Sequence, residues 1–136
     1  MKKLVFLFIL AFTVNSCYTH DDYINSEYRT LPVESVIMPA EFHVNQINDI
    51  TVQYRRPSNC YYFNGFYYDK IDNIRVVAIN AIKEYHHNCE NASEILYDVP
   101  LHFEPTKTGH FIFKFYSGID VDGEDEFLTY EIDVLP

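Results

Sequence analysis

The sequence predicts an all-β domain arranged as a single antiparallel sandwich of two sheets with about seven strands. Two observations carry that expectation. From Glu34 onward, short stretches rich in Val, Ile, Tyr and Phe alternate with Pro, Gly, Asn and Asp, which is the punctuation of strands and turns. No part of this region sustains an apolar repeat of helical period.

The runs lie at residues 34–38, 49–55, 60–68, 74–84, 95–104, 110–116 and 126–135. In the second run Ile50, Val52 and Tyr54 share one face and Thr51, Gln53 and Arg55 the other, as period-2 alternation requires. The third run contains Asn64-Gly65, a strong short hairpin signal. Its arms would be very short, so a continuous strand with a bulge at Gly65 is expected instead, turning through residues 70–73 into the fourth run. The fifth run is expected to break near Pro100, because proline cannot donate to a strand ladder. In the last two, Phe111, Phe113 and Phe115 form an apolar stripe. Leu128, Tyr130, Ile132 and Val134 form another, with Thr129, Glu131 and Asp133 opposite, so these runs read as a hairpin with one wet face. Seven strands in about a hundred residues is the scale of an immunoglobulin-like sandwich rather than a closed barrel.

The chain has 136 residues, 48% hydrophobic and 22% charged, which fits one globular domain. Twenty acidic residues against ten basic ones argue against nucleic acid as a partner, since that affinity comes largely from basic side chains displacing counterions. The N-terminus differs from the rest. Lys2 and Lys3 precede an apolar run from Leu4 to Val14, too short for the roughly 20 residues that span a bilayer and typical of a secretory signal. The run ends at Val14-Asn15-Ser16-Cys17, which resembles the lipobox of bacterial lipoproteins. In that family the cysteine is acylated and becomes the new N-terminus, and several acyl chains at about 0.8 kcal/mol per buried methylene hold a domain on a membrane. The resemblance implies a signal peptide at residues 1–16 and a lipid anchor on Cys17; with a polar tether to residue 33, the strand pattern leaves residues 34–136 as the sandwich domain. Residues 18–31 lack an apolar period and read as that tether. Removing residues 1–16 leaves 8 basic and 20 acidic residues and a net charge of −12. Tyr18 follows the cysteine where the best-known inner-membrane retention signal has Asp, so the resemblance implies the outer membrane. Asp21 and Asp22 resemble surface-export signals but suit a solvated tether equally, which leaves the side of the membrane open.

Cys60 and Cys89 are the only cysteines left once Cys17 is committed to lipid, and an exported chain meets oxidising conditions, so a disulfide is expected. The competing arrangement is a metal site from His86, His87 and Cys89, which lacks a fourth ligand and needs a free thiol. Asp120, Asp122, Glu124, Asp125 and Glu126 crowd one connection and form a candidate Ca²⁺ site, but the spacing does not match an EF-hand. A solvated turn is the expectation, with no cofactor. Tyr61-Tyr62-Phe63-Asn64-Gly65-Phe66-Tyr67-Tyr68 is the least ordinary stretch, since alternation sends aromatics to both faces of one strand. Either Tyr61, Tyr62, Tyr67 and Tyr68 offer an exposed platform for sugar rings or protein partners, or they pack across the sheet against Val77 and Ile79. There is no G-x-S-x-G elbow, H-E-x-x-H pair or phosphate-cradling glycine loop, so an enzyme is not expected.

The stretch from Asn59 to Tyr68, with Phe103-Glu104-Pro105 and residues 109–122, resembles small uncharacterised lipoproteins of Gram-negative bacteria. That resemblance implies a β-sandwich on a lipid anchor and no site residues. The functional expectation is a noncatalytic, lipid-anchored envelope module binding a protein or glycan. The alternative is a structural accessory subunit of an envelope complex, and an enzyme ranks third.

Overall fold

The structure, a computed structural model, describes residues 25–136, and within them the chain is all β with no helix. The strands are β1 (Ser26–Leu31), β2 (Val33–Ile37), β3 (Phe42–His43), β4 (Asn48–Arg55), β5 (Tyr61–Ile71), β6 (Ile74–Glu84), β7 (Leu96–Phe103), β8 (Gly109–Ile119) and β9 (Asp125–Leu135). They form a three-stranded sheet, β2-β4-β7, and a six-stranded sheet, β1-β6-β8-β9-β3, in which β5 also pairs with β6. Strand β6 organises the larger sheet. Residues 74–83 pair antiparallel with β5 across one bulge, while the other edge is shared, residues 79–84 pairing with β1 and 74–77 running parallel to β8.

The core lies between the sheets and follows the alternation of the strands. Ile50, Val52 and Tyr54 of β4 face Val77, Ile79 and Ala81 of β6 and Phe111, Phe113 and Phe115 of β8, all essentially excluded from water. Burying one such aliphatic or phenyl side chain stabilises the fold by roughly 1.5–3 kcal/mol. Phe103 of β7 joins the layers through edge-to-face contacts, its ring 5.0 Å from Phe113, 5.5 Å from Phe111 and 6.1 Å from Phe42. Cys60 and Cys89 lie at disulfide distance, Cα–Cα 5.5 Å, and tie the start of β5 to the β6–β7 connection. A bridge closing a loop of about 30 residues stabilises a domain by roughly 3–4 kcal/mol on the loop-entropy account.

Three sequence expectations are corrected. Residues 26–31 are not tether but strand β1, in register with β6 from Ser26↔Glu84 to Leu31↔Ile79, so the folded domain starts before Glu34. The chain passes from the larger sheet to the smaller across Pro32 alone, with Leu31 and Val33 buried on either side of it. Second, β7 does not break at Pro100, which pairs with Thr51 inside the strand. Among the described residues β7 pairs only with β4, so an edge lacking an N–H at Pro100 meets no described neighbour. Third, the strands number nine rather than about seven and the larger sheet is mixed rather than antiparallel, because β6 runs parallel to β8 and a two-residue strand, β3, parallel to the end of β9, a contact too short to leave a period in the sequence. The bulge expected at Gly65 is present: Asn64 and Gly65 together oppose Asn80, and Gly65 adopts φ +86°, a conformation glycine tolerates.

The loop between β3 and β4 is pinned by one buried amide. Asn48 Oδ1 accepts from the His43 amide (3.1 Å), and Nδ2 donates to the carbonyls of His43 (3.1 Å), Gln46 (2.8 Å) and Phe103 (3.2 Å). Asn48→Ala leaves these buried backbone groups without partners, at a cost of about 2–3 kcal/mol. Urea unfolding should show a lower midpoint at an unchanged m-value, and an unchanged midpoint would remove Asn48 from the account.

Candidate functional site

The bulge in β5 decides which aromatics meet solvent. Tyr61 and Phe63 point to the core ahead of it, and because two residues oppose one across the bulge, Phe66 and Tyr68 point to the core after it. Phe66 pairs with Ile79 and Tyr68 with Val77, so the cross-strand packing alternative holds for this half of the cluster. Tyr62 and Tyr67 point outward and are 43% and 51% exposed. The four tyrosines therefore do not form one platform. Tyr61 and Tyr68 pack against the core, Tyr62 borders a shallow hollow with His86 and His87 beside the disulfide, and Tyr67 lines a groove on the outer face of the larger sheet.

That groove encloses about 390 Å³, within the range of roughly 300–1,000 Å³ seen for small-ligand clefts. Its floor is Val76 and Ala78 of β6, the latter buried although it faces outward. Tyr67 stands over Ala78 as its cross-strand partner. Tyr116 and Phe127, paired across β8 and β9 with ring centroids 6.2 Å apart, form an opposing wall. Thr30 and Asn80, themselves a cross-strand pair, and Asp125 supply polar groups around it. The residues 26–31 thus build part of the groove through Thr30. Tyr116, Phe127, Thr30, Asn80 and Asp125 went unnoticed as site residues in the sequence. A signal existed for two of them: Tyr116 and Phe127 are one position out of phase with the buried Phe115 and with Leu128, so the alternation that buries those residues turns these outward.

The other candidate clusters resolve into local structure. Asp120 Oδ1 accepts from the amides of Asp122 (2.8 Å) and Glu124 (2.9 Å), and Gly123 N donates to the Asp120 carbonyl (3.2 Å). One carboxylate thereby organises the tight turn around Gly123, whose φ is +87°. Asp125 and Glu126 belong to β9, paired with Ile119 and Gly118. With Cys89 beside Cys60, His86 approaches Glu84 instead, Nε2 to Oε2 2.9 Å. Among the described residues no three His, Cys, Asp or Glu side chains are grouped as a metal ion needs. Cys17 lies outside the described residues.

The wet face of the β8–β9 hairpin carries a titratable cluster. His110 places Nδ1 3.0 Å from Asp133 Oδ1 and Nε2 3.2 Å from Glu131 Oε2. The hydrogen bond to Asp133, more than the charges of Asp133 and Glu131, raises its pKa above the ordinary histidine value of about 6.5. A raised folded-state pKa means stabilisation present below the ordinary value and lost as pH rises through the higher folded-state value. An NMR titration should give His110 a midpoint above that of an unstructured histidine, and Asp133→Asn should lower it. A midpoint unmoved by Asp133→Asn would contradict this geometry.

No family model, curated protein or solved structure matches the chain.

Proposed function

We propose that this chain is a noncatalytic glycan-binding module, exported and held on the bacterial outer membrane by lipid on Cys17, and that the outer groove of the larger sheet is its binding site. The observation that carries the reading is the pairing of aromatic walls at Tyr67, Tyr116 and Phe127 with polar groups at Thr30, Asn80 and Asp125 around a small apolar floor. A pyranose ring has an apolar face of C–H bonds, which stacks on an aromatic plane, and a rim of hydroxyls, which needs donors and acceptors within reach. A purely apolar protein interface would not need the second set. The anchor reading rests on Val14-Asn15-Ser16-Cys17. Because residues 26–31 belong to the domain, only residues 18–25 separate it from that cysteine, a reach of at most about 29 Å when extended. The immunoglobulin-like form of the sandwich is part of the same proposal, supported by the crossing of the chain between sheets at Pro32.

Saturation-transfer NMR against a panel of neutral oligosaccharides is expected to find a saturable ligand, bound roughly tenfold or more weakly by Tyr67→Ala, a loss of about 1.4 kcal/mol. Tyr67 is half exposed, so its removal spares the core. No binding across the panel, or binding unaffected by Tyr67→Ala and Tyr116→Ala, would defeat the groove reading. Palmitate label that persists in Cys17→Ala would defeat the anchor.

A further inference from the structure

A second hollow, of about 370 Å³, opens where the end of the β5–β6 hairpin meets the β7–β8 connection. It lies on the core side of β6 and the groove on the outer side, Arg75 and Val76 being successive residues that face opposite ways. Its walls carry Lys70, Arg75 and Lys107 against a single acid, Glu104, in a chain with twice as many acidic as basic residues. His102, also at its wall, is hydrogen-bonded to Asp49.

Arg75 is the unusual member. Its side chain is buried, with 9% of the residue exposed. Nη1 donates to the carbonyls of Asp72 (2.8 Å) and Ile74 (2.9 Å), and Cζ sits 4.9 Å from the centre of the Phe111 ring. Nε is buried without a hydrogen-bond partner. Among the described residues the ion pairs formed by basic chains are Arg29 with Glu27, Lys83 with Glu27, Arg55 with Glu34, and those of histidines. None involves Arg75, Lys70 or Lys107. A guanidinium cannot release its proton, and a buried charge without a partner is costly. Lys70 adds to that cost, because it stands directly across from Arg75 in the antiparallel register, where like charges repel. The ring face and two carbonyls offset part of the charge. Among the described residues no acid supplies the full counter-charge.

We propose that this cavity binds an oxyanion, a carboxylate or phosphate group on a small organic ligand, with Arg75 at its floor and the exposed Lys70 and Lys107 at its mouth. The half-buried Tyr68 ring packs against the carbon part of such a ligand. Burial raises the Tyr68 hydroxyl above the ordinary tyrosine pKa, against the opposing effect of the neighbouring Arg75 guanidinium. This site stands apart from the glycan groove: Tyr67→Ala leaves it intact, and changes at Lys70 and Lys107 leave the groove intact, so either reading can fail alone.

The test is NMR titration of the ¹⁵N-labelled full-length chain in neutral-detergent micelles. The probes are sodium phosphate and sodium glucuronate, with NaCl holding ionic strength constant and glucose as the uncharged control. At least one anion is expected to cause saturable shifts confined to amides of residues 68–75 and 101–111, with a Kd of about a millimolar or tighter. The combined Lys70→Ala and Lys107→Ala variant changes only exposed side chains and is expected to bind that anion roughly tenfold more weakly. Tighter binding of phosphate assigns the oxyanion to a phosphate, and tighter binding of glucuronate assigns it to a carboxylate on a sugar-sized frame. No saturable shift with either anion, a response matched by glucose, or undiminished binding in the double variant would overturn the proposal.

Discussion

The two faces of the larger sheet depend on the phase of one strand, β6, and on the neighbours that hold that phase from both edges. Its core-facing residues Arg75, Val77, Ile79 and Ala81 are buried, and its outward residues Val76, Ala78 and Asn80 line the groove. A shift of one residue in its pairing would exchange these sets and place Asn80 among the phenyl rings. On one edge β5 prevents the exchange through Phe66 and Tyr68, which pack beside Ile79 and Val77 only because Asn64 and Gly65 take up an extra residue. On the other edge, β1 fixes the second half of β6 and β8 fixes the first. The groove, the cationic cavity and the core are three consequences of a single register.

Charge is distributed with equal consistency. Most carboxylates sit on outward faces or in turns, where water solvates them and neighbouring residues use them locally. Glu27 shows the pattern at the edge of the sheet. It accepts from the Tyr85 hydroxyl and from Arg29 and lies 3.6 Å from Lys83, and the Tyr85 hydrogen bond most of all lowers its pKa below the ordinary range. Such exposed pairs contribute little individually, so β1 is held chiefly by its ladder with β6 and by burial of Leu31. Arg75 reverses the pattern, a permanent cation on the core side with no acid at ion-pair distance among the described residues.

What the sequence revealed follows from how each element is stabilised. Strands β2 and β4 to β9 bury one face, so period-2 alternation marks them, and the Phe111, Phe113 and Phe115 stripe is the plainest case. Strand β1 buries only Leu31 among its six residues, and its membership in the sheet rests on backbone pairing, which leaves no apolar signature. Pro100 looked like a break because a proline's effect depends on whether its edge of the strand has a neighbour, a tertiary fact. The aromatic cluster was rightly read as two-faced. Which tyrosines faced out required the bulge to be counted, and Tyr67 gained partners only when the β8–β9 register brought Tyr116 and Phe127 beside it. Arg75 did carry a signal, a cation in phase with Val77 and Ile79. Its opposition to Lys70 appears only once the hairpin register is known.

Solvent accessibility of the tyrosine rings measures the phase on which both sites rest. With a soluble paramagnetic agent in an NMR experiment, ring protons of Tyr62 and Tyr67 should relax strongly, while those of Tyr61 and Tyr68 should be affected far less. Strong relaxation at Tyr68 together with protection of Tyr67 would place the bulge elsewhere in β5 and contradict the register from which the groove and the cavity follow.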